Sequence, residues 1–358
     1  MNTLNDLIQK KAAGLSGQLL EAIGTPVLAR KGTRSPYSFQ DDYLVRAATT
    51  ALVLGQPLIL SGEPGVGKTQ FAEALAAKLG LPYLDPYQVK STDTGMDLIY
   101  RFDQVSRFQD EKNQRGLASH VQFTQLGLAM LWSAGPDHQV RLSDISVADL
   151  LGSNADRSGS LTLKKLFPSA FSNDRVTITE PTRGLVLLDE LDKAPRDAPN
   201  DILGEIEKMR FAIPELGIAV EADPAYWPVV LITSNSERTL PDAFLRRCTF
   251  HWIDFPDDDS LRQIVVSHVA SLHDVNIQPD CELLTSATAC FNAIRKSSDN
   301  KKPATAEFIA FVLAHWEAGY RHSDTISLDD DLTAGLLGTL IKTKADRQST
   351  PQAQSNEG

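Results

Sequence analysis

The sequence predicts an α/β fold: a P-loop αβα sandwich on a five-stranded parallel sheet, followed by a small all-helical domain. Three observations carry that expectation. An apolar run, Pro57-Leu58-Ile59-Leu60, feeds the octapeptide Gly62-Glu63-Pro64-Gly65-Val66-Gly67-Lys68-Thr69, and a helical pattern from Gln70 to Leu79 leads out of it. Strand, glycine-rich loop and helix in that order are the setting of a phosphate-binding loop. Two further apolar runs, Leu185-Val186-Leu187-Leu188 and Val229-Val230-Leu231-Ile232, suit strands of a parallel sheet that helices cover on both faces. After Pro256 the pattern becomes wholly helical, over residues 258–273, 279–296, 304–320 and 329–343.

The remaining elements follow in chain order. Residues 3–23 carry Leu4, Leu7, Ile8, Leu15, Leu19, Leu20 and Ile23 in partial helical register and read as an amphipathic helix; a linker runs to residue 39. Asp41-Asp42 reads as a helix start. A second strand is expected near Pro82-Tyr83-Leu84, and roughly a hundred residues then separate it from the strand at Leu185, too many for a plain connection. This insertion, about 90–184, needs elements of its own: a helix over Leu126 to Trp132, and Leu161-Thr162-Leu163 pairing with Val176-Thr177-Ile178 as short strands. A fifth strand alternates from Thr249 to Phe255 and closes on Pro256. The expected division is an N-terminal helix and linker (1–39), a core (40–255), a helical lid (256–343) and a polar, disordered tail (344–358).

Composition limits the function classes. The 358 residues are 42% hydrophobic and 23% charged, an ordinary globular balance. A net charge of −11 and a pI near 5.1 argue against nucleic acid as the main partner, while leaving room for a local basic patch or a ring pore. Cys248, Cys281 and Cys290 have no metal-ligand spacing, and three thiols cannot all pair with one another; a reducing, cytoplasmic setting is expected. No apolar run approaches a membrane span, and the N-terminus lacks the basic flank and apolar stretch of a signal peptide.

The chemistry concentrates at four places. Gly62, Glu63, Pro64, Gly65, Val66 and Gly67 form the loop whose backbone N–H groups would turn inward at an anion, with Lys68, Thr69 and Gln70 opening the helix. Lys68 would reach the β- and γ-phosphates, and the Thr69 hydroxyl would ligate Mg²⁺. At the carboxyl end of the next long apolar run, Asp189 can hold Mg²⁺ through a water, and Glu190 can polarise the attacking water as base. Asn235, closing Thr233-Ser234-Asn235, is placed to orient that water. Arg246-Arg247 ends a short helical pattern; the pair is either solvated or supplies positive charge to a γ-phosphate in the transition state. Four further features carry weaker expectations. His251 reads as packed or surface, Asp257-Asp258-Asp259 as helix-start charge, Asp192 and Lys193 as capping or pairing groups, and Tyr37 as a candidate border for adenine.

With these residues the chain resembles an AAA+ ATPase, and more narrowly the CoxD-like branch of the MoxR family. The resemblance runs from residue 40 to about 320. It rests on Gly62–Thr69, the Walker B-like Leu187-Leu188-Asp189-Glu190-Leu191-Asp192-Lys193-Ala194, Ile213-Pro214-Glu215-Leu216-Gly217, Thr233-Ser234-Asn235, and the block from Leu245 to Asp254. It implies ATP and Mg²⁺ as cofactors, Asn235 as sensor 1, Arg247 as the arginine finger with Arg246 as a second candidate, and a pre-sensor hairpin at about 210–226. It further implies a hexameric ring, a von Willebrand factor type A domain partner and a protein client to be remodelled, matured or assembled. The lid departs from the pattern. Where relatives carry a sensor 2 arginine after a proline, Pro303 is followed by Ala304-Thr305-Ala306-Glu307 and preceded by Lys301-Lys302; either Lys302 substitutes or the lid senses nucleotide weakly. Two rival readings remain. One is the motor subunit of a nucleic-acid-directed restriction or defence system, as in McrB-type GTPases, against which stand the acidic balance and the Thr-Ser-Asn sensor. The other is a nucleotide-gated scaffold that hardly turns over.

Overall fold

The computed structural model describes residues 26–27, 37–38, 41–110, 115–141, 145–152, 159–172, 176–235, 238–273 and 275–349. The expected N-terminal helix over 3–23 lies outside the described residues, as does the linker apart from β1 (Pro26–Val27) and β2 (Tyr37–Ser38), which pair antiparallel. The chain divides into two compact units. Among the described residues, one holds those of 41–61 and 69–252, the other those of 26–38, 62–68 and 253–349.

The first unit is built on the sheet. Its opening helix, α1 (Asp42–Leu54), starts where Asp41 accepts the backbone N–H groups of Tyr43 and Leu44 at 2.8 and 3.0 Å, a cap worth about 1 kcal/mol. It stops at Gly55, which takes the left-handed conformation with φ 66°. Strand β3 (Leu58–Gly62) leads through the loop to α2 (Lys68–Leu79). The other long strands are β7 (Leu185–Asp189) and β10 (Val229–Ser234), with β4 (Tyr87–Gln88) and β11 (Thr249–Ile253) at the edges, in the order β11-β3-β10-β7-β4. β3, β10, β7 and β4 run parallel. Every residue of β3, β7 and β10 is buried, which is why these runs are continuously apolar instead of alternating.

The second strand sits later than expected. Tyr83 makes a single bridge to Leu185, and the ladder resumes only at Tyr87 and Gln88, opposite Leu188 and Asp189. Pro82 and Pro86 frame the gap; a proline offers no N–H to a ladder, so the edge strand is short. The insertion is also rearranged. Leu126 to Trp132 is helical as expected, within α3 (Gln125–Ala134), but Thr162 and Thr177 do not pair with each other: Thr162 bridges Gln139 and Thr177 bridges Ser172. A small antiparallel ribbon, β5 (Tyr100–Phe102) with β6 (Val121–Phe123), forms instead. A hairpin of β8 (Arg210–Ile213) and β9 (Ile218–Glu221) precedes β10.

The insertion shares its core with the sheet. Leu126, Trp132, Leu163 and Phe171 belong to one cluster with Val186, Leu188, Val230 and Ile232. Trp132 is 1% exposed, donates its indole N–H to the Ala170 carbonyl at 2.7 Å, and lies so close to Gly184 that an added Cβ would meet its ring at 3.0 Å. Trp132→Ala should therefore cost about 3–5 kcal/mol, as other buried aromatic truncations do; urea unfolding checks this, and a loss below about 1 kcal/mol would show the insertion to be an appendage.

The second unit is helical after β11: α4 (Asp258–His273), α5 (Glu282–Ser297), α6 (Thr305–Glu317), α7 (Asp331–Leu336) and α8 (Lys344–Gln348). Leu261, Val265, Leu284, Phe291, Phe308 and Phe311 form its core. The expected disorder from residue 344 is corrected for 344–349. Asp346 is buried and accepts the backbone N–H groups of Asn300 and Lys301 and the Thr343 hydroxyl, so α8 is tied to the lid. Residues 350–358 lie outside the described residues. Among the described residues no helix is long and apolar enough to cross a membrane, and no cluster of three His, Cys, Asp or Glu could hold a metal. All three cysteines are free thiols.

Candidate active site

The parallel register brings the carboxyl ends of β3, β10 and β7 to one edge, with Ser234 opposite Ser61 and Ile232 opposite Leu188. Open α/β sheets place their ligand sites at this edge. Asp189, the last residue of β7, accepts the Thr233 hydroxyl on one oxygen and the Gln88 side-chain amide on the other. The Thr233 hydroxyl in turn accepts the Glu190 backbone N–H at 2.8 Å. Glu190 itself has φ 60°, the left-handed region, which a residue with a Cβ seldom occupies. That turn breaks the strand and sends the carboxylate sideways. Its Oε1 accepts the Asn235 amide at 2.7 Å, and its Oε2 accepts Lys193.

Asp189, Glu190 and Asn235 are thus brought together as one hydrogen-bonded group. The structure adds two residues that sequence reasoning missed. Thr233 and Gln88 orient Asp189, and Lys193, read only as a capping or pairing residue, holds Glu190. Asp192 accepts the Asn235 backbone N–H at 3.4 Å. A hydroxyl residue interrupting the apolar run of β10 was the one local signal for Thr233. The two carboxylates form a hard oxygen set, the kind that suits Mg²⁺, and Glu190 is held in one orientation by an amide and an ammonium.

The loop belongs to the second unit. Gly62 has φ 148° and Gly65 φ 81°. A Cβ at Gly62 would lie 2.4 Å from the Ile253 carbonyl oxygen, and one at Gly65 would lie 2.7 Å from the Ala304 Cβ; no other residue fits either place without backbone movement. Tyr37 stands against Gly67, its ring 3.5 Å from where a Cβ would be. Lys68 is 7% exposed and donates to the Gly62 and Glu63 carbonyls at 2.7 and 3.1 Å. Its ammonium is therefore held inside the loop. The helix that follows has no acidic residue in its first turn. Curvature set by glycines, an ammonium and a helix N-terminus fit a polyphosphate.

No protein-family model matches the chain, and no curated protein does. Solved structures do. A structure of Thermotoga maritima RuvB, titled as a Holliday junction branch migration motor, is 13% identical, with a TM-score of 0.41 over 85% of this chain and 69% of that one. A point mutant of the same protein is 14% identical, with a TM-score of 0.42 over 82% of this chain and 67% of that one.

Five more residues complete the account. Arg247 donates to the Glu207 carboxylate at 3.2 Å and to the Ala243 carbonyl at 2.9 Å, and Arg246 is exposed. The polar contacts of Arg247 are thus with Glu207 and Ala243. In the lid, Lys301 and Lys302 are both exposed. A lid cation that does reach the loop is Arg295, at the end of α5, which pairs with the Glu63 carboxylate and donates to the Pro303 carbonyl at 2.6 Å. Nothing local in the sequence marked it, since a basic residue in a last helical turn ordinarily serves the helix dipole.

Proposed function

We propose that this chain is a Mg²⁺-dependent AAA+ ATPase of the MoxR type, whose ring rearranges on ATP hydrolysis to remodel, mature or assemble a partner protein. The observation that carries the reading is the Glu190–Asn235 bond beside an Asp189 held by two donors. That arrangement presents one carboxylate as a base and another as a metal ligand.

In this reading Gly62–Gly67 and Lys68 bind the phosphates through backbone N–H groups and one ammonium, and Thr69 and Asp189 hold the metal. Mg²⁺, when bound, would neutralise charge on the β- and γ-phosphates. Glu190 accepts the proton of the attacking water, and Asn235 keeps that carboxylate turned toward it. Lys193 must yield its hold on Glu190 or share it. Arg247, exposed and held by an exposed glutamate and the Ala243 carbonyl, is suited to serve a neighbouring subunit in a hexamer. A von Willebrand factor type A protein is the partner that the family resemblance suggests.

The test begins with hydrolysis assays, which should show Mg²⁺-dependent ATP turnover without stimulation by DNA. Affinity capture from native lysate follows, using Glu190→Gln with ATP so that the assembled state persists. Recovery of a von Willebrand type A protein with its client supports the reading. GTP-only hydrolysis stimulated by DNA, or co-purification of a nuclease, would replace it with a defence-system motor.

A further inference from the structure

Arg295 lies 232 residues from Glu63 along the chain, and the two form an ion pair in which the arginine is 14% exposed and the glutamate 41%. Three contacts fix the guanidinium. One nitrogen meets the Glu63 carboxylate, another donates to the Pro303 carbonyl at 2.6 Å, and the central carbon Cζ sits 3.7 Å from the centre of the Phe255 ring. Phe255 is stacked on Phe291 of the lid core. The arginine is therefore pre-organised on a rigid aromatic base, and its charge is aimed at the second residue of the phosphate loop. Next to Pro303, Ala304 fills the space against Gly65, so the lid meets the loop at two successive places.

Glu63 is an awkward residue for a loop that receives phosphates. Its carboxylate repels a polyanion unless a cation neutralises it, and a half-exposed site screens that repulsion only in part. We infer that Arg295 is a positioning residue that acts through Glu63: it cancels the glutamate charge, so that nucleotide affinity depends on that neutralisation and not on a direct arginine–phosphate contact. The inference rests on the nucleotide reading above. The geometry favours the indirect route because the Arg295 donors are already directed at Glu63 and Pro303, and moving them to a ligand would sacrifice both bonds and the contact with Phe255.

The two routes make opposite predictions for a double variant. ATP dissociation constants would be measured by fluorescence titration with the full chain for the wild type, Arg295→Gln, Glu63→Gln and the pair together. Through Glu63, Arg295→Gln should weaken ATP binding about tenfold or more, because it leaves a bare carboxylate in the loop. Glu63→Gln should tighten binding, and adding it to Arg295→Gln should restore affinity to within about threefold of the Glu63→Gln value. Arg295→Lys, which keeps the charge but not the fork, should fall between wild type and Arg295→Gln. If the double variant is as weak as Arg295→Gln, or if Arg295→Gln binds like the wild type, the inference is overturned while the nucleotide reading stands. If the wild type itself fails to bind ATP, both fall together.

Discussion

Glu190→Gln is expected to bind ATP as the wild type does while hydrolysis falls by about 10²–10⁴-fold, the usual contribution of a positioned general base. The substitution preserves shape, and the new side-chain carbonyl can still accept the Asn235 amide that Glu190 now accepts at 2.7 Å. The left-handed backbone at residue 190 is held by the Thr233 hydroxyl through the main-chain N–H, so it does not depend on the carboxylate. What disappears is the ability to take a proton, together with the charge that Lys193 pairs with. Phosphate release and nucleotide titration on the same sample separate the two effects. Turnover equal to the wild type would remove Glu190 from the mechanism and leave the carboxylate as a structural partner of Lys193.

Arg247→Ala should be comparably severe, with hydrolysis lower by about 10³-fold or more and binding retained, if Arg247 supplies transition-state charge to a neighbour. Stability should change little. The ion pair with Glu207 is exposed on both sides, with side-chain exposures of 44% and 54%, and such pairs contribute at most about 1 kcal/mol. A large loss of activity without a loss of folding would therefore point to chemistry. Mixing Arg247→Ala with Lys68→Ala makes the assignment specific. In a mixed ring, a Lys68→Ala subunit still offers Arg247 to a partner whose phosphate loop is intact, so part of the activity should return. No recovery on mixing, with rings shown to form by light scattering, would end the shared-site idea. Arg246→Ala serves as the comparison, since that side chain is exposed and next in sequence.

Much of this architecture was readable before any coordinates, for reasons that are local. Continuous apolar runs at Leu58, Leu185 and Val229 report burial on both faces, and burial on both faces requires a sheet covered by helices. The loop was equally plain, because glycines at 62, 65 and 67 are demanded by backbone conformations that other residues avoid. Asp189 and Glu190 were legible as a pair from their place at the end of an apolar run. The lid helices announced themselves by their period. Each of these signals is contained within about a dozen residues, where chain connectivity already specifies who the neighbours are.

The rest turned on which distant segments become neighbours, and composition does not encode that directly. Tyr87 and Gln88, with little apolar character, became the edge strand because the register opposite Leu188 and Asp189 satisfies their backbone groups. Thr162 and Thr177 found partners other than each other. Lys344–Gln348, with only Ala345 apolar, became helical once Asp346 could accept backbone N–H groups from the lid. Most consequential are Glu190 with Asn235, 45 residues apart, and Arg295 with Glu63, 232 apart. A charge in a sequence is only a charge. Its role depends on the burial and orientation that packing imposes, and those are known only when the two ends of the contact have been brought face to face.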